Sequence, residues 1–259
     1  MPTNTPKLGT AEEVTRVVFG CRPEDVAEDV VLSPFVPLKS FERHFDGSAK
    51  WLRPDFFYRG LTGIREGRRV TVLLTGVGPS RVGDCLGFLS LTPARRVLFA
   101  VAVGGLDPGH CLGDLFVPTE AADGEGYTRY LTRSFREVAE TAPRVPCGTE
   151  LARRAGAFLG GKGCAVRSGA VFTVGSVAFE SPENLGALAE LGFSAVEMEL
   201  SAFFAGASYH GLEAAAFTYV SDLPLASSLW QAKSPAEAEA LRSAYGSLPA
   251  LCLEFLAAC

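Results

Sequence analysis

Several kinds of sequence run are missing from this chain of 259 residues, and each absence excludes a class of partner. There is no long basic run and the net charge is −5, so we expect neither a nucleic-acid partner nor binding to a membrane surface. No apolar stretch reaches the roughly 18 residues that a membrane-spanning helix needs. The opening segment, MPTNTPKLGTAEEVTRVV, is too polar for a signal peptide. Together these absences predict a cytoplasmic protein.

Metal-ligand patterns are also missing. The chain has three histidines, which are isolated from one another and from the cysteines, and it has no CxxC pair. The seven cysteines are odd in number and scattered: Cys21, Cys85, Cys111, Cys147, Cys164, Cys252 and Cys259. We interpret most of them as small core residues in a reducing cytosol. We therefore predict no metal site and no organic cofactor.

What the chain does have is 47% hydrophobic residues and a regular alternation of element types. The predicted strands are DVVLSP, RRVTVLLTG, RRVLFAVAVGG, GDLFVPTEA, CAVRSGAVFTVG and EAAAFTYVSD. The predicted helices are RVGDCLGFLSL, TELARRAGAFLG, PENLGALAELG, LSAFFAGASYHG and the tail over residues 235–259. Strands that alternate with helices predict an α/β fold. Because no linker divides the chain, we predict an N-terminal extension over residues 1–25 and a single domain over residues 26–259.

One apolar run contains two carboxylates. The stretch SAVEMELSAFF places Glu197 and Glu199 on either side of Met198, and an ionised carboxylate that is buried without partners is costly. In a strand, residues two apart share a face, whereas in a helix they lie about 200° apart. We interpret the stretch as a strand end that leads into a helix.

Three groups of small or polar residues follow predicted core strands. They are the glycine pair Gly104 and Gly105, the acids around Met198, and the pair Ser221 and Asp222. In α/β sheets, ligands bind at the carboxyl ends of the strands. We therefore predict a binding site where these features meet. The plainer alternative is that the glycines only form turns and the acids only cap helices.

Six motifs, in order, resemble the nucleoside phosphorylase and nucleosidase superfamily, which includes purine nucleoside phosphorylases, uridine phosphorylases and methylthioadenosine nucleosidases. The motifs are SPFVPLKSF, LTGIREGRRVTVLLTGVGPS, VAVGGLDPGHCLGDLFVP, FTVGSVAFESPENL, AVEMEL and TYVSD. The resemblance implies a single α/β domain with a mixed, twisted, partly barrel-like sheet flanked by helices. It also implies a homodimer or a trimer of dimers, with a nucleoside or base as the small-molecule ligand.

At the sugar end of the site, the resemblance assigns roles to the two acids. Cleavage of an N-glycosidic bond builds positive charge on the ribose, which a nearby carboxylate stabilises. By resemblance, Glu199 would hold the ribose hydroxyls and Met198 would pack against the sugar, with Glu197 beside them. The alternative for Met198 is simple core packing.

At the base end, the resemblance assigns the proton donor. Asp222, after Ser221, would protonate the departing base as a general acid, which favours purine-like bases. Phe179 would pack on the base. The alternatives are that Asp222 caps a helix and that Phe179 belongs to the core.

The segment PFVPLKS departs from the family's phosphate-binding pattern. Phosphorylases carry a Gly-Asp-Pro-Leu-Arg type of segment there, but this chain has Phe35, Val36 and Lys39 in place of the glycine, aspartate and arginine. Lys39 keeps the charge but lacks the two-pronged guanidinium. Phe99 and Ala102 stand where phosphorylases carry an arginine and a serine. The usual phosphate site is therefore predicted to be degraded.

Hydrolysis does not fit the pattern any better. Nucleosidases use a glutamate after the first strand to activate water, and no acid occurs between Ser33 and Phe41. If phosphate is a co-substrate, Lys39 and Arg59 are the candidates to bind it. The sequence thus predicts cleavage of a purine-like nucleoside by phosphate or by water. The alternatives are a non-catalytic nucleoside-binding protein, or a related reaction on a substrate with a larger non-ribose group.

Overall fold

The computed structural model describes residues 9–54, 57–162, 166–227 and 230–259. Within these residues the strands are β1 (Asp29–Ser33), β2 (Lys50–Leu52), β3 (Gly60–Arg65), β4 (Arg68–Leu74), β5 (Arg96–Gly105), β6 (Leu115–Gly124), β7 (Arg144–Pro146), β8 (Val166–Val174), β9 (Ala195–Glu197) and β10 (Glu213–Asp222). The α-helices are α1 (Ala11–Val18), α2 (Leu38–Glu42), α3 (Pro79–Leu89), α4 (Arg129–Thr132), α5 (Phe135–Glu140), α6 (Glu150–Gly161), α7 (Pro182–Glu190), α8 (Leu200–Tyr209) and α9 (Pro235–Ala257). Every predicted strand and helix is found. The start of one predicted strand, at Cys164, lies outside the described residues.

The sheet closes on itself over part of its width. Strand β10 pairs with both β5 and β6, and the path from β6 through β8 and β9 returns to β5, so these five strands form a closed ring. Strands β1, β4, β3 and β2 extend from β5 as an open wing. The pairings are parallel between β5 and β10 and antiparallel between β5 and β9, for example. The predicted α/β fold with a mixed, partly barrel-like sheet is therefore confirmed.

Strand β5 is buried on both faces, as its apolar run predicts. Val97, Phe99 and Val101 pack in the hydrophobic cluster on one side, and Leu98 and Ala100 pack in the cluster on the other. This alternation is what the two-residue period of a strand produces when helices cover both faces. Because β5 also pairs with β1, β9 and β10, its carboxyl end lies at the centre of the sheet.

Strand β3, which forms a hairpin with β4, was not predicted from the sequence. Strand β3 contains Gly60 and Gly63, which weaken a strand pattern because glycine has no side chain to pack. Both glycines have a packing reason. A Cβ on Gly60 would collide with the backbone carbonyl of Val72, and a Cβ on Gly63 would collide with the ring of Phe45.

The N-terminal segment packs onto the domain from helix α1 onward. Thr10 caps α1 in a capping box with Glu13, and Val14 and Val18 join the same core cluster as β5. The boundary at residue 25 stays a prediction. Among the described cysteines, Cys21, Cys85, Cys147 and Cys252 are buried, which agrees with their interpretation as core residues; Cys164 lies outside the described residues. None of the helices in the described ranges is long and apolar enough to cross a membrane.

Candidate active site

The three sequence features that follow core strands meet at the carboxyl end of β5. Gly104 lies opposite Val196 of β9 and opposite Asp222 of β10 in the strand register. Around this point is a cavity of about 250 Å³. It is lined by Phe35, Val77, Val101, Ala102, Gly104, Val177, Glu180, Val196, Glu197, Met198, Glu199, Ser221 and Asp222.

Gly104 allows the strands to converge this closely. A Cβ on this residue would lie 3.1 Å from Val196 Cγ1, 3.2 Å from Asp222 Oδ2 and 3.4 Å from Pro224 Cγ. The first two of these separations are tighter than ordinary contacts, so a side chain at position 104 would press on both the carboxylate and Val196, which would have to give way by a few tenths of an ångström. Gly105 faces away from the cavity lining, because a Cβ there would meet the ring of His110.

Glu197 and Glu199 do not lie together in one strand or in one helix. Glu197 is the last residue of β9, and Glu199 is the N-cap residue of α8. Both side chains are buried. The turn between strand and helix sends the two carboxylates to different partners, so the cost of burying each is offset separately.

Glu197 supports the start of helix α8. Its Oε2 atom accepts the backbone N–H groups of Glu199 and Leu200, and its Oε1 atom accepts the hydroxyl of Thr173. The first N–H groups of a helix have no partner within the helix, and Glu197 supplies one for two of them. Burial, followed by the charge of Glu199, raises the pKa of Glu197 to about 8. Its predicted place beside the sugar stays a prediction.

Glu199 reaches across the cavity to the start of helix α3. Its Oε1 atom accepts the backbone N–H of Gly78 at 2.7 Å. Gly78 has a φ of +112°, a conformation that glycine adopts without strain, and Pro79 follows it as the first helical residue. Burial raises the pKa of Glu199 to about 7, with a smaller contribution from the charge of Glu125. The other carboxylate oxygen of Glu199 has no hydrogen-bond partner among the described residues.

Asp222 is the last residue of strand β10 and also lines the cavity. Ser221 donates its hydroxyl to Asp222 Oδ1 at 2.7 Å and also contacts the carbonyl of Val103 at 3.3 Å. Burial raises the pKa of Asp222, while the Ser221 hydrogen bond and the charge of Lys233 act in the opposite direction. The net result is a carboxyl group that keeps its proton at a higher pH than an ordinary aspartate. Because Asp222 is the last residue of a strand and no helix begins until residue 235, it caps no α-helix among the described residues.

Glu180 is a fourth acid of the cavity, which the sequence interpretation missed. It is half-buried and follows the short 3-10 turn Val177–Phe179. Burial and the charge of Asp222 raise its pKa to about 7. Its carboxylate accepts no hydrogen bond from the described part of the chain. The signal in the sequence was an acid directly after the candidate base-packing aromatic, in AFESPE.

Met198 and Phe179 lie in different surroundings. Met198 lines the cavity between the two acids, half-buried against a hydrophobic cluster. Phe179 does not line it: its ring stacks on Tyr130 at a centroid distance of 4.6 Å and lies 5.3 Å from the ring of Tyr127. The predicted contacts of both side chains with a ligand stay predictions.

The segment that departs from the phosphate-binding pattern also borders the cavity. Phe35 and Ala102 line it, and Phe35 is 40% exposed there, whereas Phe99 is fully buried and stacks on Phe203. Lys39 on α2 and Arg59 before β3 are exposed and are not lining residues. The lining residues, all of them described, include four acids and no lysine or arginine. The structure therefore does not bring the two candidate anion ligands to the cavity within one chain.

Comparison with known proteins shows what this fold and sequence are similar to. Residues 34–252 match the family described as the Phosphorylase superfamily. The chain is 31% identical over 207 residues to the DeoD-type purine nucleoside phosphorylase of Myxococcus xanthus (strain DK1622), covering 77% of this chain and 82% of that protein.

Two solved structures share the fold. The uridine phosphorylase of Vibrio fischeri ES114 has a TM-score of 0.74 at 20% identity, covering 89% of this chain and 92% of that one. The 5'-methylthioadenosine/S-adenosyl homocysteine nucleosidase of Campylobacter jejuni has a TM-score of 0.74 at 12% identity, covering 90% and 100%. Because the family match spans most of the chain, this protein belongs to the phosphorylase superfamily, whose members are nucleoside phosphorylases and nucleosidases.

Proposed function

We propose that this protein cleaves the N-glycosidic bond of a purine-like nucleoside. The observation that carries the proposal is one cavity lined by two carboxyl groups from different elements, Asp222 at the end of β10 and Glu199 at the start of α8. A reaction that develops negative charge on a base and positive charge on a sugar needs a proton donor and an anion at separate positions. The sequence relative named as a purine nucleoside phosphorylase supports a purine-like base.

In the proposed reaction, Asp222 is the general acid. Its raised pKa favours the protonated form, which transfers a proton to a ring nitrogen as the bond between sugar and base breaks. The electron pair of that bond stays with the base, which leaves neutral. The free oxygen of Glu199 accepts the sugar hydroxyls and stabilises the positive charge that develops on the ribose. Capture of the sugar by a nucleophile completes the reaction.

The lining of the cavity favours water as that nucleophile. Phosphate is an anion, and the lining offers no lysine or arginine that could neutralise its charge and donate hydrogen bonds to its oxygens. Water carries no charge, and its oxygen adds to the sugar while its surplus proton returns, through solvent, to Asp222. Phosphorolysis would need cations from elsewhere, with Lys39 and Arg59 as the candidates of this chain.

The experiment that tests the function is a product analysis with and without phosphate. Adenosine, inosine and methylthioadenosine are incubated with the protein in a phosphate-free buffer and in the same buffer with phosphate. We expect release of free base and free sugar at a rate that phosphate does not change. Formation of a sugar 1-phosphate, only when phosphate is present, would contradict the hydrolytic form of the proposal.

A second candidate function is nucleoside binding without cleavage. The observation that favours it is the changed segment at the nucleophile position, where the lining residues Phe35 and Ala102 replace a glycine and a serine of the family pattern while the acids at the sugar and base ends are kept. A measured dissociation constant for a nucleoside, with no turnover by well-folded protein, would select this candidate. In either case the oligomer, a homodimer or trimer of dimers, and the cytoplasmic location stay proposals, as does the absence of a cofactor other than phosphate.

A further inference from the structure

A second cavity adjoins the first on the side of Asp222. Its volume is about 280 Å³, and it shares Val177 and Glu180 with the first cavity. Its other walls include Pro182, the segment 224–227 and Trp230. The two cavities have two wall residues in common and therefore lie side by side, and we call the pair the extended groove.

The size of the extended groove indicates a ligand larger than one of its halves. Ligand pockets generally measure roughly 300–1,000 Å³. Each cavity by itself, at about 250 and 280 Å³, falls just below that range, so a ligand of ordinary size would extend from one into the other. A ligand that fills the groove therefore crosses the boundary formed by Val177 and Glu180.

The extended groove is also where exposed apolar side chains collect. Exposed large hydrophobic side chains line both halves: Phe35, Val77, Val177, Leu225 and Trp230. Trp230 is the most exposed, at 83%. Exposed apolar side chains that line a cavity favour binding of an apolar group, and an indole ring at a cavity wall is suited to stack on a flat one.

The boundary between the halves carries one polar group. Glu180 lines both cavities, and its carboxylate accepts no hydrogen bond within the described ranges. It lies close enough to Asp222 for the charge of that residue to act on it. A ligand that places an N–H group at this boundary satisfies Glu180 and separates the two acids by a hydrogen-bond donor.

We propose that the second cavity binds an apolar substituent on the exocyclic amine of the base, so that the substrate class is an N-substituted aminopurine nucleoside. This inference rests on the proposed function, because it takes the base to lie beside Asp222 and the sugar beside Glu199. The secondary amine donates its N–H to Glu180, and its alkyl or aryl group lies against Leu225, Pro224 and Trp230. No bond is made or broken at this substituent; it adds binding area beyond the reacting base.

The test compares adenosine with N6-benzyladenosine as substrates and as ligands. We expect the benzyl compound to have a KM and a dissociation constant lower than those of adenosine by roughly tenfold or more, because burial of an aryl group removes a large apolar area from water. Trp230→Ala and Leu225→Glu should each remove most of this preference. Tyr209→Ala is the matched control, since Tyr209 is an exposed aromatic residue, at 64%, outside both cavities, and it should leave the preference unchanged.

The possible results separate this inference from the proposed function. Cleavage of adenosine together with weaker or equal binding of the benzyl compound would overturn the inference and keep the function. Preferential binding of the benzyl compound without cleavage would keep the inference and overturn catalysis. Failure of both compounds to bind folded protein would overturn both. Light scattering on the same variants provides a further check: a change of oligomeric state in Trp230→Ala, with substrate preference unaltered, would show that a second copy covers this surface and would also overturn the inference.

Discussion

At the scale of single residues, the candidate site depends on carboxyl groups whose pKa the fold raises above the ordinary value. Burial is the largest cause of the raised pKa of Glu180, Glu197, Glu199 and Asp222. Each acid has a different set of partners, however. Glu197 is saturated by Thr173 and the first N–H groups of α8, whereas Glu180 has no hydrogen-bond partner among the described residues. Glu197, whose two oxygens both accept hydrogen bonds, supports the site. The acids that keep an oxygen without a hydrogen-bond partner among the described residues are available to a ligand.

Asp222→Asn tests the proton donor. The amide keeps the shape of the side chain and still accepts the Ser221 hydroxyl, so we expect an unchanged fold and an unchanged melting temperature within a few degrees. Because the amide cannot donate a proton as an acid does, kcat for nucleoside cleavage should fall by roughly 10²- to 10⁴-fold. The measurement is steady-state cleavage together with thermal unfolding.

The matched control for this variant is Asp84→Asn. Asp84 is an exposed acid on helix α3 and lies outside the cavity lining, so the loss of its charge should leave kcat unchanged. A normal kcat in Asp222→Asn would mean that the acid has only a structural role.

At the scale of elements, the site depends on how closely β5, β9 and β10 approach one another. Gly104 is the residue at which all three meet, and its missing side chain leaves room for the Asp222 carboxylate. Helices α3 and α8 then present Gly78 and Glu199 to the same cavity from two different directions. Glu197, Glu199 and Asp222 all lie at the ends of strands or helices, so the way these ends meet sets the position of each acid.

Gly104→Ala tests this convergence. The added methyl group would press on Val196 and on Asp222 Oδ2, so the carboxylate must move. We expect a loss of stability of about 1–3 kcal/mol from overpacking. We also expect a fall in kcat of roughly 10-fold or more, because a misplaced acid transfers its proton less effectively. Urea unfolding and cleavage assays measure the two effects.

Gly83→Ala is the control for a methyl group added without contact. Gly83 lies within helix α3, and a Cβ there meets nothing within 4 Å. Since alanine is the better helix former, this variant should be more stable by about 0.5–1 kcal/mol and should keep its activity. Equal losses of activity in both variants would refute a specific role for Gly104.

At the scale of the whole molecule, the buried acids affect the pH dependence of stability. The pKa of Glu197 is about 8 in the folded protein, against an ordinary value of 4.5. The folded state therefore binds more protons than the unfolded state between these values, and the stabilising contribution of Glu197 is lost as pH rises through about 8. Glu180 and Glu199, with pKa values of about 7, act in the same direction.

We therefore expect the free energy of unfolding to fall between pH 7 and pH 8.5. This window lies above the range in which the three histidines act oppositely, since burial lowers their pKa below 6.5. The fall should amount to about 1 kcal/mol or more, the equivalent of roughly one pKa unit. Urea unfolding at a series of pH values measures it.

Glu197→Gln separates the contribution of one acid from the rest. The amide oxygen can accept the N–H groups at the start of α8, and the amide nitrogen can donate to Thr173, so the variant resembles the protonated acid. We expect a smaller fall in stability over the same pH window. An equal fall in the variant and the parent protein would show that Glu197 does not cause it.

Much of the fold was predictable because local patterns and global packing agree. The apolar run of β5 is a strand covered on both faces, and the helix predicted over PENLGALAELG starts at the Ser181 cap and is followed by Gly192 at a φ of +84°. Strand β3 was missed because its glycines serve contacts with Phe45 and Val72, which lie in other parts of the chain. When a residue type is required by contact with a residue far away in the chain, the surrounding sequence does not indicate the secondary structure at that position.

The sequence by itself determined the family, the order of the long strands and helices that form the core, and the chemical groups available at the site, since these depend on periodicity and on motifs that lie within short stretches. Only the tertiary structure decided which groups share a cavity. It brings Glu180 beside Asp222, ties Glu199 to Gly78 from 121 residues away, turns Glu197 toward the helix start, and leaves Lys39 and Arg59 outside the cavity lining. The reason is physical: the proximity of side chains from different elements is set by strand register and close packing, which no short stretch of sequence records.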